Sequence, residues 1–285
     1  MLNLTEAPTT RQPERPAPVR ATPASVALRF VAMGYVGILV VLPVVVILFR
    51  TFQPGLATFF AALTAPAALH AFRMTAIVSV WAVAINTVFG IAAAILLTRY
   101  RFWGKRVLNI FIDLPVAVSP IVVGLAFVLV YGPTGWFGPS LERHGIMVIA
   151  ATPGMVIATV FVSLPLVVRA VAPVLEQAGM DQEQAAESLG AKAVTRLRRI
   201  TLPTIRTALT YGVVLSLARS IGEYGAVLVV SNNIEGQTET APLRVGNLVE
   251  NEFNYNGAYA ITFVLMLVAF AAILLSAWIR RRKGT

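Results

Sequence analysis

The chain has 285 residues, of which 57% are hydrophobic and only 13% charged. A soluble domain typically carries about 25% charged residues, so this composition excludes an ordinary soluble protein and indicates an integral membrane protein. The absence of cysteine excludes disulfides and thiol chemistry, and the net charge of +10 requires no nucleic-acid partner, because positive-inside loops and anionic lipid account for it.

Six apolar runs organise the chain, and each is long enough to cross the hydrocarbon core of a bilayer as a helix of about 20 residues. They predict an all-α integral membrane protein with six transmembrane helices, at residues 30–49, 74–97, 107–130, 146–168, 208–230 and 258–279. With their connections they form one transmembrane domain, residues 26–280. Residues 1–25, rich in Pro, Thr, Ala and Arg, predict a disordered tail, and residues 281–285 predict a basic tail.

The basic residues predict the orientation of the chain in the membrane. Most of the 23 Lys and Arg lie in the two tails and in the connections 98–106 and 169–207. Loops rich in Lys and Arg stay in the cytoplasm, so both termini and both connections are predicted to be cytoplasmic. The polar connection 231–257 then lies on the outer side of the membrane.

The third and fifth runs contain residues that are unusual inside a bilayer. Pro115 and Pro120 predict a kink that either serves helix packing or lines a pore. Arg219 and Glu223 lie four residues apart, and such buried charges are usually paired or face a cavity. They form either a structural ion pair or a local attraction for an anion. The candidates for a pathway or gate are Ser119, Pro120, Ser216, Arg219, Ser220 and Glu223.

The connection 169–207 is much longer than a turn requires. Asp181 can cap a helix on which Ala185 and Leu189 share one face, and Gly190 can end that helix. A basic helix follows and returns to the membrane at Pro203. An amphipathic helix on anionic lipid is one interpretation, but the acidic, Ala-rich first part is better suited to a groove in a protein.

The same connection resembles the Glu-Ala-Ala (EAA) loop of ABC importer permeases. That motif reads Glu-Ala-Ala, three residues, Gly, nine residues, Ile, one residue, Leu-Pro, and Gln184 stands here in place of its Glu. Whether Glu183 or Glu187 replaces that acid is open. The resemblance implies a coupling helix that docks into an ATPase subunit through Glu183, Gln184, Ala185, Ala186, Gly190, Ile200, Leu202 and Pro203.

The fifth run and the connection after it resemble the sulfate/molybdate branch of these permeases, and within it the CysW-type sulfate permeases. The matching residues are Gly222, Glu223, Tyr224, Gly225, Asn233, Ile234, Gly236, Thr238, Thr240, Pro242 and Leu243. The resemblance implies a type I ABC importer permease fold in a bacterial cytoplasmic (inner) membrane. It also implies an outer-mouth loop formed by Asn233, Gly236, Thr238, Thr240 and Pro242.

The expected function is that of a permease subunit in an ATP-driven sulfate importer, with thiosulfate as a further candidate anion. The implied partners are a related CysT-type permease, two ATP-binding subunits and an extracytoplasmic sulfate-binding protein. The chain itself is expected to be no enzyme and to hold no nucleotide cofactor, because it lacks a phosphate-binding loop. It is expected to hold no metal, because its sequence contains no cluster of metal ligands. The resemblance implies that the partner ATPase binds ATP and Mg. The alternatives are a molybdate/tungstate importer permease and an ion-coupled secondary anion transporter.

Overall fold

Every regular element in the computed structural model is helical across the residues it describes, 23–281, with side chains described for residues 27–279. Of the tails predicted at residues 1–25 and 281–285, residues 1–22 and 282–285 lie outside the described residues. Residues 23–25 are helical and begin the first helix, and residue 281 ends the last one, so both predicted tails are shorter at these points. The helices are α1 (Pro23–Phe52), α2 (Leu56–Thr64), α3 (Pro66–Arg99), α4 (Lys105–Ala117), α5 (Pro120–Tyr131), α6 (Gly138–Arg143), α7 (Thr152–Ala178), α8 (Asp181–Ser188), α9 (Ala193–Arg196), α10 (Leu202–Ile221), α11 (Gly225–Ser231), α12 (Ala241–Glu250) and α13 (Tyr255–Arg281). A π-helical turn, Leu197–Thr201, joins α9 to α10.

The length and polarity of these helices make the chain a multi-pass membrane protein. Five helical stretches of the described chain are long and apolar enough to cross a bilayer, and the bent pair α4–α5 would supply a sixth. The predicted all-helical membrane class is therefore confirmed. Helix α1 is shared between two compact units, since its residues up to Val46 belong to the first unit and Ile47 begins the second. The sites described below all lie in the second unit.

The third apolar run is not one kinked span but two helices bent by 115°. Helix α4 ends at Ala117, and Pro120 is the first residue of α5. Between them Ser119 has φ −58° and ψ 134°, an extended conformation. The ring of a proline excludes the residue before it from the helical region, so Pro120 accounts for the break.

The fourth and fifth runs also differ from their predicted limits. Helix α7 begins at Thr152, followed by Pro153 in its first turn, and continues ten residues beyond the predicted end at residue 168. Helix α10 ends at Ile221, and a separate short helix, α11, follows. The apolar run 208–230 is therefore divided, because the chain leaves the helical path between Gly222 and Tyr224.

Small residues allow close crossings between the central helices. A Cβ atom on Gly90 of α3 would lie 2.6 Å from Val167 Cγ1 of α7, and one on Gly124 of α5 would lie 2.8 Å from Val229 Cβ of α11. Helices in a bilayer gain little from hydrophobic burial, so such close contacts provide much of their packing energy. These crossings place α3, α7 and α10 side by side and hold α11 against α5.

Helix α12 is joined to the membrane helices at its first residue. The backbone N–H of Ala241 donates a hydrogen bond of 2.8 Å to Thr75 Oγ1 of α3, and both residues are buried. An apolar cluster continues this contact towards α13; its buried members are Ala68, Ala241, Leu248, Ala258 and Ile261. The connection between α11 and α13 is thus a packed part of the fold.

Candidate functional site

Helix α8 starts where predicted, but Asp181 does not cap it: Met180 occupies the N-cap position, and no side chain makes a capping hydrogen bond there. Gly190 ends the helix as predicted, two residues beyond its last helical residue, Ser188. The helix begins at Asp181, directly after Gly179 and Met180, and carries two acids in its first turn, where the helix dipole favours negative charge. At its end the N–H of Gly190 donates to the carbonyl of Glu187, and the N–H of Ala191 donates to the carbonyl of Ala186, each at 2.9 Å. This pair of bonds is the Schellman motif, and it requires the left-handed φ of +82° that Gly190 supplies.

The surface of α8 is unusually free of contacts. None of its residues is buried. Leu189, directly after it, is 89% exposed, and Gln184 and Ala185 are exposed as well. This side of the helix is therefore not covered by other described parts of the chain.

The remaining residues of the predicted motif are Ala186, within α8, and three residues that follow the helix in the chain. Ala186, Ile200 and Leu202 are partly buried, whereas Pro203 is exposed. They connect the exposed helix to the start of α10.

The two acids that flank Gln184 are both engaged within the chain. Glu183 turns towards Arg99, at the end of α3, with its Oε2 3.0 Å from Arg99 Nε. Glu187 forms an ion pair with Arg196 of α9. The side chain that faces outward at the position of the motif's Glu is therefore the amide of Gln184. In the sequence, Arg99 is only one of several basic residues in a short connection, so no local pattern distinguishes it.

A cavity of about 310 Å³ lies at the break between α4 and α5. Its lining residues are Pro115, Val116, Val118, Pro120, Val162, Pro165, Leu166 and Arg219. The Arg219 side chain is 40% exposed, and its Nη1 lies 2.7 Å from Oε2 of Glu223, which is 2% exposed. The N–H of Ala226 donates to the other oxygen, Glu223 Oε1, at 3.0 Å. Arg219, the basic member of the predicted ion pair, is thus the one charged residue among the described residues that line this otherwise apolar cavity.

The three serines predicted to belong to a pathway or gate differ in their burial. Ser216 and Ser220 are buried inside the helix bundle. Ser220 Oγ donates to the carbonyl of Ser216 at 2.7 Å and lies 3.4 Å from Ser163 Oγ of α7, so Ser220 serves packing of α10. The buried Ser216 hydroxyl makes no hydrogen bond among the described residues. Ser119 is exposed at the helix break. Of the six pathway candidates, the structure brings Pro120 and Arg219 together at one cavity.

The predicted outer-mouth residues form an internally bonded turn before α12. Thr238 Oγ1 donates to the carbonyl of Ser231 at 2.6 Å and accepts the N–H of Ile234 at 3.1 Å. Asn233 Nδ2 donates to Asn247 Oδ1 at 2.7 Å. The rest of the set is placed around this turn, with Thr240 buried before α12, Pro242 in the first turn of α12 and Gly236 exposed with φ +69°. These residues, which were predicted to form an outer mouth, therefore determine the shape of this turn.

Arg244 organises this region, although in the sequence it is only a basic residue of the predicted outer connection. Arg244 Nη1 lies 2.6 Å from Glu252 Oε1, 3.4 Å from Glu235 Oε2 and 3.8 Å from Glu239 Oε1. The Glu239 side chain is fully buried, and Asn247 donates a hydrogen bond of 2.6 Å to it. Burial raises the pKa of the Glu239 carboxyl, although Asn247 and Arg244 oppose the rise. No sequence pattern signals this cluster, because its members pair across a turn.

The chain is similar to a family of membrane transport proteins over most of its length. The family described as "Binding-protein-dependent transport system inner membrane component" matches residues 86–285. The chain belongs to this family. The permease is 41% identical over 258 residues to the sulfate transport system permease protein CysW of Synechococcus elongatus, with 90% of each chain covered. It is also 41% identical over 244 residues to CysW of Escherichia coli, covering 86% of this chain and 84% of that protein.

A solved structure supports the same fold. The permease matches a chain of a bacterial alginate ABC transporter in complex with an alginate pentasaccharide-bound periplasmic protein, with a TM-score of 0.74. The match covers 90% of this permease and 93% of that chain at 16% identity, so it shows the fold alone. The predicted resemblance to CysW-type ABC permeases and the predicted importer fold are both confirmed.

Proposed function

We propose that this permease is a transmembrane subunit of an ATP-driven sulfate importer. The observation that carries the proposal is its identity of 41% to a sulfate transport permease along 90% of both chains. The exposed, unpacked helix α8 supports it independently, since a permease that uses another subunit's ATP needs a surface on which that subunit can act. In this proposal α8 and its flanking residues face the cytoplasm.

The proposed complex contains four further parts. A CysT-type permease forms the other half of the anion path, two ATPase subunits bind ATP and Mg and hydrolyse the nucleotide, and an extracytoplasmic binding protein delivers sulfate. The complex resides in a bacterial inner membrane with both termini of this chain inside. The basic connections support this orientation, because the positive-inside rule applies to short loops of this kind.

In the proposed cycle, closure of the ATPase subunits moves α8 and switches the path between outward- and inward-open states. The cavity beside α4 and α5 contributes to the path, and Arg219 offers the dianion a transient contact. The adjacent carboxylate of Glu223 offsets most of the positive charge of Arg219. A weak contact of this kind favours passage, because an ion held tightly would leave the path slowly.

Reconstitution of the complete complex into proteoliposomes tests this function. Uptake of radiolabelled sulfate is expected only with ATP on the side of α8 and loaded binding protein on the other. Collapse of proton and sodium gradients with ionophores is expected to leave uptake unchanged. Uptake that needs an ion gradient and no ATP would instead establish a secondary transporter.

A further inference from the structure

We propose that Arg99 and Glu183 form the connection through which α8 drives the membrane helices, with Thr201 as its third member. This inference rests on the proposed function, because it concerns how movement of α8 reaches the anion path. The three residues belong to three different elements: Arg99 ends α3, Glu183 lies in α8, and Thr201 ends the π-helical turn before α10. A movement of α8 would therefore act on α3 and α10 together.

The Arg99 guanidinium is held at several points. Its Nε lies 3.0 Å from Glu183 Oε2, its Nη2 donates to Glu183 Oε1 at 3.3 Å, and its Nη1 donates to the carbonyl of Leu175 in α7 at 3.0 Å. The side chains of Arg99 and Glu183 are only 8% and 16% exposed. Nε makes no hydrogen bond among the described residues, so the directional contacts of the guanidinium are those of Nη2 to Glu183 and Nη1 to Leu175. Together they fix its orientation, which a single exposed ion pair does not.

Thr201 adds a second attachment for the same carboxylate. Its Oγ1 donates to Glu183 Oε1 at 2.9 Å, and the residue is 6% exposed. The π-helical turn gives Thr201 this position, and in that turn the N–H of Leu202 donates to the carbonyl of Leu197. Pro203 supplies a reason for the wide turn, because its ring has no N–H and crowds the carbonyl four residues earlier.

Helix α8 is not attached to the membrane helices by apolar packing. No residue of α8 is buried, so the helix has no apolar anchor in the bundle. A groove of about 470 Å³ opens beside it, and Arg99, Glu183 and Thr201 themselves are among its lining residues. Since α8 borders a groove here, the contacts of Glu183 are its most direct attachment to α3.

A second ion pair on α8 provides a matched control. Glu187 pairs with Arg196 of α9, and the Glu187 side chain is 65% exposed. Arg196 lies in the segment that directly follows α8 in the chain, so this pair does not reach α3. Removing the Glu187–Arg196 pair should therefore leave the connection between α8 and α3 intact.

The test compares sulfate transported per ATP hydrolysed in proteoliposomes that contain the complete complex. The variants Arg99→Gln and Glu183→Gln are expected to retain the ATPase subunits and hydrolyse ATP, while the transport ratio falls about tenfold, within the usual range of coupling between sites. The reversed pair, Arg99→Glu with Glu183→Arg, is expected to recover part of the ratio. Arg196→Gln is expected to match the wild type.

A wild-type ratio in both single variants would overturn the proposal. If either single variant fails to assemble, Thr201→Val decides, because it removes one hydroxyl donor at nearly constant shape. That variant is expected to lower the ratio about twofold to threefold, and an unchanged ratio there would equally overturn the proposal. Failure of the proposed function has a different signature, namely a wild-type complex that hydrolyses ATP without accumulating sulfate.

Discussion

Replacing Arg219 with alanine is expected to abolish sulfate uptake, to below about a tenth of the wild-type rate. The change removes the cationic edge of the cavity at the α4–α5 break and leaves the Glu223 carboxylate, 2% exposed, without its partner. Removing one member of a buried pair usually costs more than the pair contributes, because a charge is left uncompensated. Uptake by proteoliposomes containing the full complex measures the effect, alongside the amount of complex assembled.

Two further variants separate the anion contact from simple charge balance. The double variant Arg219→Ala with Glu223→Gln removes both charges, and Arg219→Lys retains the positive charge without the guanidinium geometry. We expect the double variant to assemble but not to transport, and the lysine variant to transport slowly. Recovery of uptake in the double variant would show that Arg219 only neutralises Glu223. Normal assembly and normal transport in Arg219→Ala would contradict both roles.

Replacing Gly190 with valine is expected to release the ATPase subunits from the complex and thereby to abolish sulfate uptake. Gly190 ends α8 at φ +82°, where a β-branched residue is strained. A strain of about 1–2 kcal/mol is large for a helix of eight residues with no buried side chain. Co-purification of the ATPase subunits with the permease measures the loss directly.

Asparagine at the same position is the control for this strain. A Cβ added at Gly190 meets no atom within 4 Å, so a new side chain has space and only the backbone conformation is tested. Asparagine adopts left-handed φ values more readily than other residues with a side chain. Gly190→Asn should therefore retain the ATPase subunits. Equal retention by the valine variant would indicate that the end of α8 does not position the docking surface.

The helical class and the approximate positions of the spans follow from the sequence for a simple reason. The hydrocarbon core sets a minimum length for each apolar run, and that length is visible without any knowledge of tertiary contacts. The prolines also predicted an irregular third run. A proline shows where a helix is interrupted but not the angle between the two halves, so the 115° bend could not be predicted. The fifth run contains no proline, so its division into α10 and α11 could not be predicted either.

The candidate site was predictable where it is local in sequence and not where it depends on distant partners. Gly190 ends α8 through a motif contained within six residues. By contrast, Arg99 and Glu183 are 84 positions apart, so nothing in either neighbourhood connects them. Ser216 and Ser220 face the interior of the bundle. Their sequence pattern could not show this, because the inner side and the path-facing side of a membrane helix can be equally rich in small residues.

The anion that the permease serves is the central question, and stimulation of ATP hydrolysis answers it most directly. The reconstituted complex would be given extracytoplasmic binding protein loaded in turn with sulfate, thiosulfate, molybdate and tungstate, with unloaded binding protein as the reference. Sulfate-loaded protein is expected to stimulate hydrolysis most strongly. Strong stimulation by the molybdate- or tungstate-loaded protein, with sulfate no better than the unloaded reference, would contradict the proposed sulfate importer.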